Sequence, residues 1–289
     1  MNELFREKFI LGTANFGMPY GSQKYNGKLY RKKIHQIIDF MVTNNLTEID
    51  TAEAYGNAEA VLGEIGIKEF KVTTKFYLSK DDNIFNRTYN SLERLRIDSL
   101  DTVLIHNAES LSETDLIYFY DQASELKKQG LINKFGISIY KKDFLLELNK
   151  PHFDVVQTAV NIFDRSFTEK DVMNLSITSG IQLHARSIFM QGILLMDSKI
   201  FLKHFSGRFR KIFEAYVNFV SDLKMTQLEY CLGCALYEPL IKKIVIGVDS
   251  AKQLTEISSV EFMCKPPHID LFTLNKLEEF EEFINPLNW

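Results

Sequence analysis

The chain has 289 residues, 45% apolar and 25% charged, an ordinary globular composition that excludes a disordered or fibrous protein. Its 34 basic and 38 acidic side chains leave a formal net charge of −4, so there is no electrostatic case for nucleic acid or an anionic membrane. The longest apolar stretches, such as 193–196, fall far short of the roughly 18 residues that a membrane helix needs. The first residues carry both signs of charge and no apolar run, so no signal peptide is read there. Three cysteines, an odd number in a large chain, read as free thiols in a reducing compartment. The expected location is therefore cytoplasmic. Composition shifts nowhere in mid-chain, so residues 1–289 are expected to form one domain.

Short β-rich runs alternate with longer helical stretches. In chain order, strands are predicted at 9–14, 47–50, 71–75, 102–106, 134–139, 154–157, 181–186 and 243–247. Most are nearly continuous Val- and Ile-rich runs, the pattern of parallel strands buried on both faces. A helix at 84–96 follows from the apolar stripe of Ile84, Tyr89, Leu92 and Leu95. Another at 112–129 carries Leu116, Phe119, Ala123 and Leu126. Gly130 and Gly180 stand where predicted helices need left-handed caps. After the seventh strand come an added segment at 200–223 and a helix at 227–237, and a C-terminal helix is predicted at about 271–284. Eight β-then-α units predict a (β/α)8 TIM barrel with an extra helical segment after strand 7 and a C-terminal helix. A doubly wound open sheet is the structural alternative.

In such a barrel the chemistry sits where the strands end at their C-terminal side. Strand two ends in Asp50, with Tyr55 in its loop; strand three ends in Lys75 and strand four in His106. Strand five carries Ser138, strand six Gln157, and strand seven Arg186 with Ser187 beyond it. Any one of these alone is what a strand meeting solvent would show. Asp, Tyr, Lys and His on three consecutive strands can converge. A buried Lys75 needs a counter-charge, which Asp50 can supply. A Lys⁺ beside Tyr55 is expected to lower the phenol's pKa and make it a better general acid.

These residues resemble the aldo-keto reductases. Asp50-Thr51-Ala52-Glu53-Ala54-Tyr55-Gly56-Asn57-Ala58-Glu59 is similar to the family's D-T-A-x-x-Y-G-N-x-E signature. Thr74-Lys75, Ser91-Leu92-Glu93-Arg94-Leu95, Leu104-Ile105-His106, Gly136-Ile137-Ser138, Val156-Gln157 and Asn161 with Arg165 resemble further family stretches, from about 11 to 256. The resemblance implies a nicotinamide cofactor lying across the strand ends, hydride transfer to a carbonyl carbon, and a tyrosine that protonates the oxygen. Tyr55 would be that acid, Lys75 and Asp50 would tune it, and His106 would orient the carbonyl. Ser138, Gln157 and Asp50 would hold the nicotinamide end, and Gly12 and Thr13 the first-strand loop beside it. Ser187, Ser250, Gln253 and Glu256 match other cofactor positions. The implied cofactor is NADPH, with NADH as the alternative. Gly247 and Gln253 are neutral where NADPH-preferring relatives carry a Lys and an Arg, and Asp249 adds a negative charge, so the preference is expected to be weak. The partner is a small carbonyl compound, for instance a sugar or sugar derivative. A cofactor-sensing or regulatory subunit built on the same barrel is the second reading, and the intact tetrad argues against it.

The sequence departs from the family at Ile139, where Asn is usual, and at Arg186, which aligns with an aromatic residue. Two readings of Arg186 stand. Either it stacks on the nicotinamide and favours the reduced cofactor, or it points at a cofactor phosphate or a substrate oxygen. Phe16, Tyr20, Phe76 and Tyr77 either line the pocket or pack loops. A short tail ending at Trp289 predicts an open pocket. Gly12 to Gly17 lacks the middle glycine of a dinucleotide fingerprint. Cys231-x-x-Cys234 reads as core thiols, His184 as a hydrogen-bonded core histidine, and the six histidines show no metal-ligand spacing.

Overall fold

The computed structural model describes residues 1–21, 27–148, 153–261, 265–274, 276–277 and 279–285. Cys264 and Trp289 lie outside them. Eight parallel strands close into a barrel in sequential order, β1 (Phe9–Gly12), β2 (Glu48–Asp50), β3 (Lys71–Phe76), β4 (Leu100–Ile105), β5 (Ile132–Ile139), β6 (Val155–Ala159), β7 (Gln182–Arg186) and β8 (Ile241–Gly247). Every neighbour is the next strand in the chain, and β8 returns to β1 with Phe9 opposite Ile244 and Gly12 opposite Gly247. This is the predicted (β/α)8 barrel, and the open-sheet alternative is excluded by the closure.

Ile and Val dominate the strands because both faces are covered. Ile49, Val72, Val103, Ile137, Val156 and Leu183 are all buried. The Ile84–Leu95 helix starts at Asn83, whose side chain accepts from the Asn86 N–H, and ends at a left-handed Arg96. Ser112 and Asp115 form a capping box on the Glu113–Lys128 helix. Gly130 and Gly180 have positive φ, as their places after helices require.

The added segment after β7 folds as two helices, Ser198–His204 and Arg210–Asp222. The C-terminal helix is a correction. It splits into Leu271–Leu274 and Phe280–Ile284, with tight bonds from Leu277 N–H to Leu274 O and from Phe280 N–H to Leu277 O between them. Aromatic anchoring fixes the second piece, where Phe283 contacts Phe163, Phe201 and Phe209. The first strand also stops earlier than predicted, at Gly12, and residues Ala14–Gly17 turn into a short helix. Among the described residues, no helix is long and apolar enough to cross a membrane.

Candidate active site

Register brings the strand-end residues together. Asp50 lies opposite Gly12 on one side and Thr73 on the other, and Lys75 stands two residues further along β3 on the same face. Lys75 is 1% exposed, and its ammonium donates to Asp50 Oδ1, to Thr51 O at 2.9 Å and to Tyr55 Oη at 3.4 Å. Gln157, from β6, donates its Nε2 to the second oxygen of Asp50 at 2.7 Å. Thr13 adds a hydroxyl bond to Asp50 O at 2.9 Å. The carboxylate is thus held from both sides, which offsets the cost of burying it.

Two glycines seat Tyr55. A Cβ on Gly17 would lie 1.8 Å from Tyr55 O, and one on Gly56, where φ is +59°, would lie 2.5 Å from Gly17 O. The loop after β1 therefore meets the tyrosine turn backbone to backbone. Gly17→Ala is expected to push them apart and to cost at least about 1–3 kcal/mol of stability. Thermal unfolding checks this, and an unchanged midpoint would overturn it. Behind the turn, the buried carboxylate of Glu59 accepts from Thr74 Oγ1 at 2.6 Å, Ser91 Oγ at 2.8 Å and Arg94 Nε at 2.7 Å. These contacts tie the Ala58–Ile65 helix to β3 beside Lys75 and to the Ile84–Leu95 helix.

His106 meets the Tyr55 ring edge-on at 5.9 Å and the Tyr77 ring at 4.5 Å. Burial, helped by the charges of Lys75 and Arg186, pulls its pKa down to about 3, so the ring is neutral at physiological pH. Its Nδ1 has no partner among the described residues. The expected lowering of the Tyr55 pKa is corrected. Burial, and next the Asp50 charge, push it above the ordinary tyrosine range. Lys75 does not reverse this, and burial lowers its own pKa. The phenol therefore stays protonated past the ordinary tyrosine range.

A cleft of about 570 Å³ opens over these residues. Gly12, Thr13, Asp50, Tyr55, Gln157, Arg186, Ser187 and Gln253 line it. Lys75 lies beneath it, and Ser138 sits beside Gln157 in register. Ser250 is used as a helix cap, accepting from Gln253 N–H at 3.2 Å, and Gln253 Oε1 accepts from Asp249 N–H at 2.7 Å. Glu256 pairs with the exposed Lys252 at 3.8 Å. Ile139 is fully buried and offers no polar group.

The sequence left several site features unread. Arg186 stacks on Tyr140 at 4.1 Å, a pairing that only the barrel's closure brings about. Asn15 donates to Val248 O and to Asp249 Oδ1, each at 2.9 Å, joining the first loop to the last. The aromatics divide. Phe16 and Phe76 pack in the interior, whereas Tyr20 lines the cleft and Tyr77 covers His106. His184 is buried with neither ring nitrogen partnered among the described residues, so the expected hydrogen bond is absent there. Burial keeps it neutral, with a pKa of about 3. Cys231 and Cys234 are buried free thiols.

The model of the Aldo/keto reductase family matches residues 8–265. Glyoxal reductase from Bacillus subtilis (strain 168) is 35% identical over 167 residues, covering 53% of this chain and 57% of that protein. D-arabinose 1-dehydrogenase from Saccharomyces cerevisiae is 28% identical over 139 residues, 43% of this chain and 42% of that one. Methylglyoxal reductase DkgB from Escherichia coli O157:H7 is 35% identical over 97 residues, 31% and 36% of the two chains. The chain thus spans about half, or less, of the length of these relatives. Among solved structures, the Pseudomonas aeruginosa protein PA4992, assigned to the aldo-keto reductases, superposes with a TM-score of 0.62 over 86% of this chain and 87% of that one. At 17% identity that likeness is one of fold.

Proposed function

The chain belongs to the aldo/keto reductase family, and from that premise we propose that it reduces a small aldehyde or ketone to an alcohol with a nicotinamide cofactor. The observation that carries the reading is the Asp50–Lys75–Tyr55 cluster at the floor of the cleft, with neutral His106 beside it. Relatives named for glyoxal and methylglyoxal point to short 2-oxoaldehydes as first substrates, with sugars next.

The residues fit the cofactor. Gln157 Oε1 is a buried acceptor with no partner among the described residues, suited to an amide N–H of a carboxamide. Gln157, Ser138 and Asp50 would hold that end, Gly12 and Thr13 the first-strand side, and Ser187, Ser250, Gln253 and Glu256 would complete the binding set. When bound, a reduced nicotinamide supplies hydride to the carbonyl carbon.

The chain's own part is the proton. Tyr55 Oη donates to the carbonyl oxygen, and the Lys75 ammonium, 3.4 Å away, steadies the phenolate left behind. His106, being neutral, offers a ring N–H to the same oxygen without competing as an acid. Asp50 fixes Lys75 in place. Consumption of NADPH and NADH, followed by absorbance against aldehydes, ketones and sugars, tests the reading. Tight cofactor binding without turnover of any carbonyl would support the regulatory-subunit alternative instead.

Cofactor choice is expected to be weak. At the 247–253 end, Asp249 stands on the cleft wall and Lys252 is exposed and directed to Glu256, so no cation lines that end among the described residues. The ratio of kcat/KM for NADPH and NADH is expected to stay within about tenfold, or roughly 1.4 kcal/mol. A ratio above about a hundred, equivalent to roughly 2.8 kcal/mol, would overturn this.

A further inference from the structure

We propose that Arg186 selects a carbonyl substrate carrying its own oxyanion, a carboxylate or a phosphate. This rests on the reductase reading, because it names the substrate class of the same site. Arg186 ends β7 on the cleft wall, partly buried, with its guanidinium over the face of Tyr140 at 4.1 Å. No carboxylate pairs with it among the described residues. The acidic side chains that line the cleft are already engaged. Asp50 is held by Lys75 and Gln157, Asp197 caps a helix through the Lys199 N–H, and Asp249 accepts from Asn15. A guanidinium drawn partly out of water without a counter-ion is costly, so its partner must arrive with a ligand.

The place of the charge indicates which ligand. Arg186 is aligned with Ala159 on β6, two residues beyond Gln157, and Tyr140 follows directly on β5. Its field acts on Tyr55, His106 and Tyr20. The half-exposed rings of Tyr20, which lines the same cleft, and of Tyr140, beneath the guanidinium, would flank the substrate's far end. A guanidinium lying over an aromatic ring can still present its N–H edge, which matches a carboxylate or phosphate in bidentate fashion.

Matched pairs differing by the oxyanion test this: glyoxylate against glyoxal, glucuronate against glucose, and glyceraldehyde phosphate against glyceraldehyde. The wild type is expected to favour the anionic member in kcat/KM by at least about tenfold, mostly through KM, the size of one charge-assisted hydrogen bond. Arg186→Gln removes the preference, and Arg186→Lys keeps part of it. Preference confined to the acids assigns a carboxylate; preference confined to the ester assigns a phosphate. Equal treatment of the pairs by the wild type, or a ratio unchanged in Arg186→Gln, overturns the proposal. So does a loss of cofactor affinity with the ratio intact, which would assign the charge to a cofactor phosphate. Calorimetric binding of the same compounds separates the two readings. If no carbonyl turns over, the reductase reading fails, yet anion binding that is lost in Arg186→Gln still upholds the site; absence of both overturns it.

Discussion

Tyr55→Phe is expected to leave the barrel and cofactor affinity intact while carbonyl reduction falls by about 10²–10⁴-fold, the usual worth of a positioned general acid. The phenylalanine ring keeps the edge contact with His106 and its place under the Lys75 ammonium, 5.0 Å from the ring centre. Only the hydroxyl is lost, the group that the Lys75 ammonium reaches at 3.4 Å. Steady-state rates beside cofactor titrations check this, and a variant keeping more than about half the wild-type rate would sink the assignment. The same geometry sets a pH profile. Because the Tyr55 pKa is raised, its protonated, donating form persists past the ordinary tyrosine value of about 10. Alkaline loss of rate from tyrosine ionisation is therefore expected only above that value.

Lys75→Met is expected to damage rate and stability together. It deletes the donor to Asp50, to Thr51 O and to Tyr55 Oη at one stroke. Asp50 keeps Gln157 but loses its counter-charge in a place where both partners are nearly inaccessible, 1% and 3% exposed. Removing one member of a buried pair costs about 3–5 kcal/mol, because the remaining charge is left uncompensated. Denaturant unfolding measures the loss, and unchanged stability would show that Asp50 does not carry a buried charge. A double variant, Lys75→Met with Asp50→Asn, is expected to recover part of the stability and none of the rate.

The barrel was legible in the sequence because two-sided burial writes a simple code. Stretches such as Val103-Leu104-Ile105 and Phe135-Gly136-Ile137 are apolar whichever way a side chain points. Asp50, Tyr55, Lys75 and His106 were legible because each interrupts or follows such a run. What stayed hidden depends on partners fixed only by closure. The bond from Gln157 to Asp50 joins residues 107 apart, and the one from Asn15 to Asp249 joins residues 234 apart. The Tyr55 shift runs against the sequence expectation for the same reason: a neighbouring lysine is visible in a motif and depth is not. The C-terminal segment 271–284 has helical spacing but breaks, because the Phe283 contacts that fix its final turn come from distant segments.

The seam between β8 and β1 has a consequence for how the chain comes into being. Lys8, just before β1, reaches Leu236 O at 2.7 Å across 228 residues of sequence, and β1 finds its second neighbour only in β8. Until the ribosome has delivered Ile241–Gly247, the growing sheet has two bare edges, each a template for pairing with another nascent chain. A chain cut short before β8 is expected to pair with other copies through those open edges, which would make it sticky rather than merely inactive.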